Sequence, residues 1–406
     1  MKRAIGYLLI ALVITTAPAV VANHDTTTPQ QPGLSGPEVL YVLAKDSYLV
    51  VDPVSLQVLT TVKVGGCFSS LVPTGDGKLV YASNPCLNAV VVIDPATHKV
   101  IDLLKVGEQP GADVRLSPDW KTVWVRTLDG VSVIDAAARK FMANIRTGEA
   151  KLLSEPRVVS RTAFVPPAAG RPTLLYVTNP PDHTVTAIDV DRRTVVATVP
   201  VGKNPRFGMA YSKLSDSVYV LDPQNSEMSV IDPSVHRVVK KISVPQKGVS
   251  GIGFTHDGRF AGIDSRHERG GGDSLLVLDT KTDSIVSIID LRLTGTPTTA
   301  AVNPTRLFFT LDDRLGFALH KTSPHVSVVD MSTLKLAKVI ELKPQKKEVL
   351  YRCSVLISQD GKTAYVTSAV EETLTVIDVA SLSVRAVVNT KEPTCSVYNF
   401  RVASVR

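Results

Sequence analysis

The segment LLYVTNPPDHTVTAIDVDRRTVVATVPVG, residues 174–202, decides the fold. It holds three short runs rich in Val, Thr, Ile and Tyr, separated by Pro, Asn, Asp and Arg. Alternating apolar residues with that punctuation are the pattern of hairpin-connected antiparallel strands. Met once, the order is a fragment of some sheet. Met repeatedly, it is the unit of a repeat fold.

It recurs. An apolar stretch ending in Asp closes at Asp52, Asp94, Asp135, Asp189, Asp232, Asp279, Asp330 and Asp378, at intervals of 41 to 54 residues. Each unit opens on a YVTN-like strand: LYVL at 40, VYAS at 80, VWVR at 123, YVTN at 176, VYVL at 218, FAGI at 260, FFTL at 308 and AYVT at 364. A polar loop, the Asp-ending strand, a turn and an alternating strand follow. A further strand then leads through turns such as SPDWK, THDGR or SQDGK into the next unit. Four short strands at this period predict the blades of a β-propeller. The aspartates belong to turns, where a carboxylate accepts backbone N–H groups and a following Pro presets φ.

The first unit lacks its inner strand, and the last segment, CSVYNFRVASVR, is left over. Pairing the two closes the ring and removes the open edge. The expectation is an all-β chain with one propeller domain over 37–406, of eight four-stranded antiparallel blades closed by N- and C-terminal strands in one blade. Seven blades is the alternative if 136–175 or 311–350 departs from the repeat. The period and the literal YVTN at 176–179 resemble the YVTN-type β-propeller repeat family. That resemblance implies the fold and leaves function open, since members include surface-layer proteins, periplasmic proteins and relatives of the amine dehydrogenase heavy subunit.

The start, MKRAIGYLLIALVITTAPAVVANHD, has a charged pair at Lys2 and Arg3, an apolar core too short to span a bilayer comfortably, and small residues at Ala19 and Ala22. It reads as a signal peptide over 1–22, followed by a flexible Thr/Pro-rich tether over 23–36. The expected location is periplasmic or extracellular, with no transmembrane span in the mature chain. The formal net charge of +7 becomes +5 without the two signal cations, and the charges are interspersed. Nothing in this pattern indicates nucleic-acid binding.

Four cysteines are present, with no CxxC and no CxxCH. Zinc ribbons, thioredoxin-like motifs and covalent c-type haem are excluded on that ground. Cys67 and Cys86 lie nearly symmetrically about the TGDGK turn, and Cys353 and Cys395 open the inner strands of neighbouring blades. The expected disulfides are Cys67–Cys86 and Cys353–Cys395. There is no G-x-S-x-G elbow, and RGGGD at 269–273 lacks the strand–helix context of a phosphate loop. No catalytic residue is assigned.

The connections from a blade's second strand to its third, and from its fourth to the next blade, share one rim. The long stretches 147–156, 265–273, 311–325 and 342–352 are placed there, and 165–173 on the other. Binding residues concentrate on loops carried by a rigid scaffold. The candidates are therefore His183, Arg266, His267, Glu268, Asp312, Asp313, His320 and His325, with Arg206 and Arg352 at the funnel for an anionic ligand. A metal is conceivable at His267, Glu268, Asp312, Asp313, His320 or His325. The cofactor is left unknown. The reading is an exported propeller that binds a protein partner, surface polymer or small ligand at its elaborated rim. Alternatives are a periplasmic redox component resembling an amine dehydrogenase heavy subunit or a haem-binding propeller, and a metal-dependent hydrolase or lactonase.

Overall fold

Antiparallel pairing organises the chain into eight separate four-stranded sheets, each a blade. The structure, a computed structural model, describes residues 36–403 except 108–110, 112, 149–160, 204, 206–207, 247, 266–273, 292–303, 321–322, 324, 343–351 and 369. Of 250, 265, 304–306, 352, 353 and 395 the backbone alone is described. Within a blade the strands are lettered a to d from the axis outward. Blade 4 is typical, with Thr162–Val165, Leu174–Asn179, Thr184–Asp189 and Thr194–Pro200 in that order.

Blade 1 closes the ring. Its a strand is the C-terminal Thr394–Arg401, and its b, c and d strands are Glu38–Ala44, Ser47–Val51 and Val58–Lys63. The pairing runs from Glu38 opposite Arg401 to Ala44 opposite Thr394. Arg401 donates to the Glu38 carboxylate at 2.9 Å.

Between consecutive blades lies one apolar cluster, and eight clusters close the circuit. Tyr219, Met228 and Phe254 sit between blades 5 and 6; Leu40, Leu356 and Val397 sit between blades 8 and 1. The a to c strands are buried on both faces, so their sequences read as continuous apolar runs. The d strands alternate exposed and half-buried residues, as Lys99–Lys105 and Ser284–Asp290 do.

The opening segment can now be read residue by residue. The Tyr of YVTN is a core residue and a link between blades. Tyr41, Tyr81, Tyr176 and Tyr219 are fully buried. Each hydroxyl reaches the turn between strands c and d of the next blade: His98 Nδ1 at 3.0 Å, the Ala136 carbonyl at 2.8 Å, His236 Nδ1 at 2.8 Å and the Asp283 carboxylate at 2.6 Å. Trp124, Phe317 and Tyr365 hold the same position in blades 3, 7 and 8. Blade 6 has Gly262 there, and Leu307 of blade 7 fills the space.

All eight repeat aspartates accept a backbone N–H from the turn that follows. Asp52 accepts from Val54 and Ser55, Asp135 from Ala137 and Ala138, Asp232 from Ser234, and Asp378 from Ser381. Asp94, Asp189, Asp279 and Asp330 do the same. The hydroxyls of Ser234 and Ser332 hold the Asp232 and Asp330 carboxyls below the ordinary carboxylate range, with the turn N–H groups adding to them, and the Ser55 N–H does so for Asp52. Four residues past each Asp the chain turns left-handed, at Leu56, His98, Arg139, Arg193, His236, Asp283, Leu334 and Leu382. The VG that ends the segment has its reason too. A Cβ on Gly202 would lie 2.0 Å from the carboxylate of Asp222, which occupies the Asn position of YVTN in blade 5.

Burial pushes the pKa of His98 and of His236 down. Asp94 opposes this at His98; at His236, Arg171 adds to it and Asp232 opposes it. The unfolded chain therefore takes up these protons first as pH falls. Their stabilisation is complete above the ordinary histidine pKa and is lost as pH drops through the lower folded values. We expect stability to fall between pH 7 and pH 5. The double variant H98N/H236N, whose Asn tolerates the left-handed backbone, should show a flatter profile in urea titrations at each pH. An unchanged slope would refute this assignment.

One expectation is corrected. The stretch 311–325 is not a single rim loop, and FFTL at 308 is not a second strand. Pro304–Phe309 is the a strand of blade 7, Leu315–His320 its b strand and His325–Asp330 its c strand. Residues 310–314 form the a–b turn, with Thr310 Oγ1 and Arg314 N both bonded to Asp312 Oδ1. The same turn recurs at Thr74–Asp76, Ser117–Asp119, Thr255–Asp257 and Ser358–Asp360. In three of those the left-handed residue is Gly77, Gly258 or Gly361; here it is Asp313, so the glycine that marks the turn in sequence is missing.

Candidate functional site

The two faces of the ring differ. The lower face carries the a–b and c–d turns, the upper face the b–c and d–a connections. The c–d turns are nearly uniform, as 95–98, 233–236 and 379–382 show. The d–a connections run from four residues at 390–393 to the whole of 147–161. On the lower face only 166–173 is long, and Arg171 ties it down, donating to both carboxylate oxygens of Asp216 at 3.0 and 2.8 Å.

The sequence candidates divide between the faces. His183 is on the upper face, exposed and left-handed at φ 57°, capping the short 3-10 turn Pro180–Asp182 of blade 4. His320 ends the b strand of blade 7, fully buried, with Nε2 2.8 Å from Ser327 Oγ. His325 begins the c strand, with Nδ1 2.6 Å from Ser323 Oγ. His320 and His325 thus flank one b–c connection, while His183 belongs to a blade three positions away.

Asp312 and Asp313 belong to the lower face, which corrects their placement. Asp312 holds its own turn. Asp313 accepts from the backbone N–H of His256 and of Asp257 at 2.6 and 2.8 Å, and lies 2.7 Å from His256 Nδ1. It therefore clips blade 7 to blade 6. Asp312 and Asp313 cannot join His320 and His325 in one metal set, because these carboxylates and those histidines stand at opposite ends of their strands. Among the described residues no group of three His, Cys, Asp or Glu could hold a metal ion. Arg206, Arg266, His267 and Glu268 lie outside the described residues, as do the Arg352, Cys353 and Cys395 side chains. Most of 147–156, 265–273 and 342–352 also falls there.

Cys67 and Cys86 form a disulfide on the upper face, with their Cα atoms 5.4 Å apart. Cys67 lies in the connection before Ser70–Pro73, and Cys86 in the 3-10 turn Pro85–Leu87. Asn84 supports the site, accepting from the N–H groups of Cys67 and Leu87 and donating to the Gly65 carbonyl. The crosslink spans 19 residues of sequence. Its removal in C67S/C86S should cost about 3 kcal/mol by loop-closure entropy, read from urea unfolding with and without reductant. A loss below about 1 kcal/mol would contradict this account.

Sequence reasoning missed a buried polar group between blades 3 and 4. Asp113 Oδ1 accepts from Arg115 Nε at 3.0 Å, and Oδ2 accepts from the Thr162 N–H and Oγ1 at 2.7 and 2.8 Å. Arg126 donates to the carbonyls of Thr127 and Gly130, and burial pushes its pKa down to about 10. Arg161 precedes the a strand of blade 4 and is nearly buried. The available signal was a charged residue inside two apolar runs, DVRL at 113–116 and VWVR at 123–126.

No family model matches the chain, and no curated protein matches it. Among solved structures it is similar to the dihydro-heme d1 dehydrogenase NirN in complex with DHE. That match has a TM-score of 0.67 and 15% identity over 92% of this chain and 78% of the other. It is also similar to apo AztD from Citrobacter koseri, with a TM-score of 0.62 and 14% identity over 90% and 98%. Hydrazine synthase of Kuenenia stuttgartiensis gives a TM-score of 0.51 and 15% identity over 82% and 95%. At such identities the likeness is one of fold.

Proposed function

We propose that the chain is an exported binding propeller that engages its ligand or partner through the upper face. The observation that carries this is the contrast between faces: uniform self-bonded turns below, and connections of widely differing length above. Side chains whose buried polar atoms have no protein hydrogen-bond partner show the same bias. Thr147, Asn179, Ser354, Thr367, Thr373 and Thr394 all lie towards the upper ends of their strands. A rigid ring presenting variable loops is how scaffolds carry recognition.

Export is supported by the start of the sequence and by the Cys67–Cys86 disulfide, since disulfides persist in oxidising compartments. Among the described residues no helix is long and apolar enough to cross a membrane. Strand b of blade 1 starts at the lower edge, where Val402 N bonds the Pro37 carbonyl and Ala403 N the Gly77 carbonyl.

The test is purification of the mature protein from its native host, with N-terminal sequencing, visible absorption, elemental analysis and partner capture. The proposal expects an N-terminus at Asn23, no absorption band and no stoichiometric metal. It also expects a captured partner that is lost when residues 266–273 are replaced by a short Gly/Ser turn. A haem band would favour the redox reading instead. A bound divalent metal would favour the hydrolase reading.

A further inference from the structure

The ring is closed by hydrogen bonds between the two ends of the chain, and the interface beside that closure contains buried polar groups. The cluster between blades 8 and 1 contains Leu40, Val42, Ala44, Leu356, Tyr365 and Val397. Towards the upper face it carries Ser354, Thr367 and Thr394. All three are fully buried, and none of their hydroxyls has a protein partner.

Strand register puts the three on the side of one cluster, Thr394 beyond a register shift between Leu43 and Ala44. Ser354 lies directly opposite Thr367 in the sheet. Ser354 alternates with Leu356, and Thr367 with Tyr365, so both face the cluster that contains those residues. Thr394 is paired with Ala44 of the same cluster. Cross-strand partners share a face. Asn399 stands on that side lower down, alternating with Val397, and neither its amide oxygen nor its nitrogen has a protein partner.

A buried hydroxyl without a partner forfeits its bonds to water. Three at one interface are better explained by a guest than by three separate losses. All three are neutral, and each can donate and accept. A water molecule offers two donors and two acceptors and typically takes about three protein bonds in such sites.

We propose that an internal water, bonded to Ser354, Thr367 and Thr394, is a built component of the ring-closing seam between blades 8 and 1. It joins both sheets of the seam and replaces the packing that a wholly apolar interface would supply. The same chemistry predicts a second water at the Asn399 amide.

The test uses the full chain and the near-isosteric variants S354A, T367V and T394V. If a water bridges the hydroxyls, each single variant lowers the thermal midpoint by about 1 °C. The triple variant then falls short of the sum, because the bridge is already lost after the first change. High-resolution crystallography of the unaltered protein should show one solvent peak within hydrogen-bond distance of all three hydroxyls. Unchanged or raised midpoints, or a dry gap in the density, would overturn the proposal. A peak with more than four oxygen neighbours, with a midpoint that differs between potassium and choline chloride, would also overturn it in favour of an alkali cation.

Discussion

Replacing Asp113 by alanine is expected to destabilise the protein by about 3–5 kcal/mol, the cost of breaking a buried ion pair from one side. Asp113 and Arg115 are both nearly inaccessible, with their side chains 4% exposed. The substitution removes this carboxylate from the Arg115 guanidinium and the acceptor from the Thr162 N–H and hydroxyl. Because Asp113 and Arg115 belong to blade 3 and Thr162 to blade 4, the loss acts on the contact between blades. D113N keeps an acceptor oxygen and should lose less. The measurement is the urea midpoint with the slope held constant. A cost below about 1 kcal/mol for D113A would mean that the pair contributes no more than an exposed one.

Truncating Tyr41 to alanine should cost about as much, roughly 3–5 kcal/mol, through a different mechanism. Its ring stacks on Tyr48 at 5.2 Å and meets Phe400 edge-on at 4.9 Å. Tyr48 lies in strand c and Phe400 in the C-terminal strand a, so Tyr41 sits where the two ends of the chain join. Y41F separates the contributions. It keeps the packing and removes only the bond to His98, for an expected loss of about 1 kcal/mol. Equal losses for the two variants would show that the hydroxyl and not the ring holds the seam. The prediction is checked by chemical denaturation of both variants beside the parent chain.

How much of this was legible in advance differs between fold and site. Eight units, their four-strand order and the closing strand follow from local chemistry. Period-two alternation fixes strands, Asp followed by a left-handed position fixes turns, and an unpaired strand at each end of the chain requires closure. The turn at 310–314 was hidden because Asp313 occupies the position that Gly77, Gly258 and Gly361 mark in three of the other turns. That one misread turn moved two carboxylates to the wrong face and grouped them with histidines they cannot reach. His183, His320 and His325 were placed on the correct face, but face alone did not bring them together.

The sequence by itself therefore determined the propeller, because every blade but the closing one is specified by contacts within about fifty residues, and the closing one by an unpaired strand at each end. Only the tertiary structure decided which blades share polar contacts. Asp113 with Thr162, Tyr41 with His98, and Asp313 with His256 are meetings between neighbouring blades. Their partners depend on how the ring brings strand ends together, and a local pattern carries no record of the residue across the next interface.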